Sequence, residues 1–146
     1  MTEEQITSQL QPLIGEINSQ HFCHLLVNSW VVAGVGPEEV IEPVLRFMEQ
    51  HTDIDFGLPG PLVHFMERSL KMDETGSQLY EELLTISVHR KPVPYTIWMV
   101  NRILSSELPP EVRTAYLDIL RKVADNEAAP WSVRSTAKEF LSFQEG

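Results

Sequence analysis

A chain of 146 residues with 42% apolar and 22% charged side chains holds enough apolar surface for one buried core. That composition excludes an intrinsically disordered, collagenous or multi-span membrane protein. Eleven Lys and Arg stand against 21 Asp and Glu, a formal charge of −10, so the surface repels nucleic acid and anionic lipid and favours cationic partners. The opening Met1-Thr2-Glu3-Glu4 places carboxylates where a secretory leader carries cations. No apolar run approaches the length of a bilayer-spanning helix, and the two observations together predict a cytoplasmic protein.

Apolar residues at helical spacing predict about eight helices, over 3–17, 20–33, 38–51, 60–72, 77–90, 94–106, 110–125 and 131–144. Most of the ten prolines head such a segment, where the missing N–H has no intrahelical partner to lose. Pro12 and Pro43, 31 residues apart in the similar settings Leu10-Gln11-Pro12-Leu13 and Ile41-Glu42-Pro43-Val44, are expected to kink two helices from within. The single cysteine, Cys23, lies in the apolar run Phe22-Cys23-His24-Leu25-Leu26 and reads as a small buried hydrophobe. Gly34-Val35-Gly36, Gly57-Leu58-Pro59-Gly60, Lys91-Pro92-Val93 and Leu108-Pro109 supply short turns, and no strand-like alternation appears between them. The fold class is therefore all-α.

Helix starts at Pro61, Pro94 and Trp131 recur at spacings of 33 and 37 residues, a period of stacked antiparallel helical hairpins. The run Trp131-Ser132-Val133-Arg134-Ser135-Thr136-Ala137-Lys138-Glu139-Phe140-Leu141 resembles the second helix of HEAT-type repeats, with its Val-Arg pair followed by Ala and Leu. The resemblance implies a HEAT-like α-solenoid spanning 1–146 as one helical-repeat domain. The other units match only in spacing, and the Trp, Gly and Tyr spacing of tetratricopeptide repeats is missing.

Enzyme signatures that must deliver their residues to one point are missing. There is no HExxH, no P-loop and no GxSxG, and no Glu lies three residues before His21, His24, His51, His64 or His89. Gly34-Val35-Gly36 begins like a dinucleotide fingerprint but continues to Glu39 with no preceding strand, so it reads as a turn. On a helix, Cys23 is rotated about 100° per residue away from the His21/His24 face, which spoils a three-ligand site. Catalytic residues, cofactor and metal are all predicted to be none.

Two surfaces remain. Residues 1–53 carry eight acids and one base, and on the third helix Glu38, Glu42, Arg46 and Glu49 follow one face, with Glu39 beside them and Asp53 and Asp55 in the next loop. This is either a solvated face or an anionic binding surface. His64, Glu67, Arg68 and Lys71 stand at i, i+3, i+4, i+7, and Trp98, Asn101, Arg102 and Ser105 repeat the offsets. In a stacked solenoid both stripes, with Arg134 and Lys138, would line a concave groove whose Trp and Arg suit partner binding. Equally, Trp98 could pack in the core and Arg102 tie down an acid such as Glu67.

The segments Pro59-Gly60-Pro61-Leu62-Val63-His64-Phe65-Met66-Glu67 and Arg90-Lys91-Pro92-Val93-Pro94-Tyr95-Thr96-Ile97-Trp98-Met99-Val100-Asn101-Arg102-Ile103 resemble small all-α bacterial immunity proteins. These are encoded beside contact-dependent inhibition and other polymorphic toxins. The resemblance implies a non-enzymatic antidote that binds one cognate toxin domain, often a cationic nuclease, and occludes its active site, with no nucleic-acid or membrane partner. The charge agrees in sign, because a nuclease presents cations to phosphate. A helical scaffold that holds a peptide in the Trp98/Arg102 groove is the alternative.

Overall fold

The computed structural model describes residues Met1–Gly146 and contains helices and turns but no strand. In chain order the helices are α1 (Glu3–Leu10), α2 (Ser19–Ala33), α3 (Pro37–Gln50), α4 (Pro61–Glu67), α5 (Ser69–Met72), α6 (Glu74–Arg90), α7 (Pro94–Leu104), α8 (Pro110–Asp125) and α9 (Trp131–Glu145). None is long and apolar enough to cross a membrane. The chain groups into two compact units, Met1–Leu84 and Thr85–Gly146, with the boundary inside α6.

The helix heads are where the prolines place them. Pro37, Pro61, Pro94 and Pro110 each occupy a first helical turn, where no N–H is needed. Side chains satisfy other starts: Thr2 Oγ1 accepts the Gln5 N–H at 3.1 Å while Gln5 Oε1 accepts the Thr2 N–H at 2.8 Å. Asp73 Oδ1 accepts the Gly76 N–H at 2.7 Å. That cap starts α6 at Glu74, three residues before the predicted 77, because an aspartate at the head of a polar stretch outweighs its lack of apolar periodicity.

Pro12 behaves differently from expectation. The first helix, predicted to run to 17 with a kink, ends at Leu10, and Pro12 sits in a 3₁₀ turn over Gln11–Leu13. A proline so near a helix end has too few following residues to make a kink worth keeping, and Gly15 then takes φ 79°, turning the chain toward α2. Pro43 does lie inside a continuous helix, buried, leaving the Glu39 carbonyl without its i+4 donor. The predicted helix 60–72 is divided at Arg68, whose N–H bonds the Phe65 carbonyl at 3.2 Å in a tightened turn.

In the first unit α1 packs on α3, α2 on α4, and α3 on α4. Ile6, Leu10, Ile41, Leu45, Leu62 and Met66 fill the space between them, together with Trp30, which is fully buried. Its indole N–H donates to Gln9 Oε1 at 2.6 Å, and its ring lies 5.7 Å from that of Phe65. α2 ends at Gly34, left-handed at φ 75°, with the Val35 N–H returning to the Trp30 carbonyl at 2.9 Å and the Val35 side chain buried. The 51–60 loop depends on Gly60, at φ 88°, where a Cβ would lie 1.7 Å from the Phe56 carbonyl oxygen.

In the second unit α8 and α9 pair most extensively and α7 packs on both. Val100, Leu104, Leu120, Val133 and Ala137 are buried between them. Arg113 on α8 fastens the ends of its neighbours: Nη1 donates to the Leu104 carbonyl at 3.0 Å and Nη2 to the Gln144 carbonyl at 2.9 Å. A cation at two helix C-termini satisfies carbonyls that lack intrahelical donors and complements both dipoles.

Candidate functional site

The acids of the predicted anionic surface divide by what holds them. Glu38 and Asp53 are exposed. Glu39 is anchored: Oε2 accepts the Gly36 N–H at 2.6 Å, and Oε1 lies 3.1 Å from the Met1 ammonium. Those contacts, the backbone donor first, hold its carboxyl below the usual glutamate range. Glu42 Oε1 meets Arg46 Nε at 2.8 Å, one turn along the same helix. Glu49, which helical spacing puts on the charged face of α3, is buried with 5% of its surface exposed. Spacing fixes a direction around the axis but not what covers each turn.

Asp55 has a local structural task. Its backbone carbonyl accepts from Ser19 Oγ at 2.6 Å, Oδ2 from Gln20 Nε2 at 2.8 Å and Oδ1 from the Gly57 N–H at 2.9 Å. The 51–60 loop is thereby fixed to the first turn of α2. Burial pushes the nearby Cys23 thiol up to about 12, with the Asp55 charge a smaller cause in the same direction. Cys23 is fully buried while His21 and His24 are exposed, so the three side chains do not converge.

The two polar stripes lie in different units. On α4 and α5, His64 and Lys71 are exposed, and His64 Nδ1 lies 3.6 Å from the half-buried Glu67 Oε1. The Arg68 guanidinium stands 5.2 Å over the Phe65 ring, extending the Trp30–Phe65 pair outward. On α7, Trp98 is half-buried and meets Tyr95 edge to face at 6.3 Å. Asn101 Oδ1 accepts from Gln144 Nε2 at 2.9 Å, Ser105 Oγ donates to the Asn101 carbonyl at 3.0 Å, and Arg102 is half-buried. Gln144 Nε2 also reaches Ser105 Oγ at 3.3 Å, so the side chains of Asn101 and Ser105 both serve α7–α9 packing.

A surface outside both predicted sets also stands open. Leu25, Val31 and Val32 on α2 are exposed, as are Ile14 and Ile17 just before it. Its sequence signal is that Ser19–Ala33 contains no Asp, Glu, Lys or Arg, although half its circumference faces solvent. No group of three or more His, Cys, Asp or Glu side chains is placed to hold a metal ion. Comparisons with protein-family models, with curated proteins and with solved structures return no match.

Proposed function

We propose that this chain is an immunity-type protein that binds a cognate cationic toxin domain of nuclease type and neutralises it by covering its substrate cleft, with no chemistry of its own. The division of charge between the units carries this reading. Residues 1–84 hold fourteen carboxylates and three Lys or Arg, net −11, whereas residues 85–146 hold seven and eight, net +1. Charge added only for solubility would be spread over the surface, but here one unit holds all of the excess. A nuclease cleft must be cationic to hold phosphate, so an anionic unit is drawn to it and the encounter is accelerated. The resemblance of 59–67 and 90–103 to immunity proteins points the same way.

The test is co-expression of this chain with the toxin domain encoded beside its gene, scored by survival and by co-purification of the pair. Survival together with a stable complex supports neutralisation. Cell death with both proteins folded and present would exclude it and favour a scaffold that holds a peptide at Trp98.

A further inference from the structure

α2 carries no Asp, Glu, Lys or Arg anywhere around its circumference, which is unusual for a helix with one side in solvent. Cys23, Leu26, Val27 and Trp30 are buried on one side, but Leu25 is 53% and Val32 89% exposed on the other, and Ile17 at the helix entrance is 94% exposed. The polar residues interleaved on that side are His21, His24, Asn28 and Ser29, so no fixed charge breaks the stripe. Carboxylates bracket it instead. Glu16 adjoins Ile17 and accepts the Asn18 N–H through one oxygen, Asp55 is bonded to Gln20 in the first turn, and the exposed Glu38 begins α3 across the Gly34–Gly36 turn from Val32, beside a Glu39 already paired with the Met1 ammonium. The partial negative charge of the α2 C-terminus has the same sign.

We propose that the exposed face of α2 docks an amphipathic, cationic helical segment of the partner, with its apolar side on Leu25 and Val32 and its Lys or Arg residues over the flanking carboxylates. This is helix-against-helix recognition in which apolar anchors supply affinity and charges supply selection. A second copy of this chain is disfavoured as the occupant, because a unit of net −11 would face another of the same charge. α2 spans 15 residues, so the matching segment is about four turns long. The proposal takes the sign of the partner's charge from the neutralisation reading and adds the surface and the form of the ligand.

The probe is a four-turn peptide with Leu along one side and Lys along the other, titrated into the full-length protein. Two control peptides keep the length: one scrambles Leu and Lys so that no side is apolar, and one carries Glu in place of Lys. The Leu/Lys peptide is expected to bind, and the Leu25→Gln/Val32→Gln variant to weaken it by about tenfold or more. Phe143→Gln, which removes an equally exposed apolar side chain from α9, should change binding less than twofold. Circular dichroism establishes that each variant is folded, as is expected for exposed positions. Absence of binding, equal binding of the scrambled or Glu peptide, or an unaffected double variant each overturns the proposal. So does a wild-type dimer that the double variant converts to monomer, since the face is then covered by a second copy. If the wild type protects cells from its toxin and the α2 variant protects equally, the docking face is wrong and neutralisation stands. If the peptide binds through α2 but no toxin is neutralised, the face stands and the toxin reading falls.

Discussion

Asp55 shows how a residue chosen for its charge can be set by its geometry. Both carboxylate oxygens and its backbone carbonyl are occupied by Gly57, Gln20 and Ser19. Asp55→Ala should therefore lower stability by about 1–2 kcal/mol, since two donors lose their acceptor, whereas Asp53→Ala in the same loop should leave the melting temperature almost unchanged. Thermal denaturation of the two variants makes the comparison. Cys23 beneath it is held as a neutral thiol by burial first and by Asp55 second. It should react with a thiol reagent at pH 8 far more slowly in the native protein than in denaturant. Because its native pKa lies above the unfolded value of 9.0, its ionisation removes stability as pH rises from about 9 toward 12. Rapid native labelling would show that the site opens readily. The apolar neighbours of Cys23 made its burial legible in sequence, but nothing local announces that Ser19 and Gln20 will meet Asp55, more than thirty residues away.

At the scale of elements, the sequence is most readable where proline or an apolar period acts locally and least where a helix end is closed by a distant side chain. Proline heads locate α3, α4, α7 and α8, and α8 matches its predicted span from Pro110 to Asp125. The polar stripe on α7 was legible as spacing but not as a contact, because what occupies Asn101 is Gln144 at the far end of α9. Arg113 was likewise hidden, since a lone arginine on an amphipathic helix gives no sign that two C-termini converge on it. Arg113→Ala would strand the carbonyls of Leu104 and Gln144, and a loss of about 1.5–3 kcal/mol is expected. Arg113→Lys should restore only part of it, because one ammonium cannot reproduce the planar fork. Chemical denaturation of the wild type and both variants tests this, and full rescue by lysine would show that charge alone closes the unit.

For the whole molecule, the net −11 of residues 1–84 is a field rather than a set of contacts, and it should be altered where the carboxylates hold nothing else in place. Glu39 and Glu42 are unsuitable, because the first bonds the Gly36 N–H and the second pairs with Arg46. Glu4, Glu38 and Asp53 are exposed, and replacing them with Gln, Gln and Asn removes three charges while nearly preserving shape. Glu4 and Glu38 lie in first turns of α1 and α3, so each replacement costs about 0.3–1 kcal/mol of dipole stabilisation. The protein should stay folded. Association with the Leu/Lys helical peptide should slow several-fold at low salt, and the difference should close as the Debye length falls from about 10 Å at 0.1 M to about 3 Å at 1 M. Dissociation should change less, because the apolar anchors on α2 are untouched. Stopped-flow mixing across a salt series reads both rates. If association and its salt slope match the wild type, the carboxylates are a solvated surface with no part in the encounter. Charge would then drop out of the argument for a cationic partner and leave the α2 stripe as an apolar contact alone.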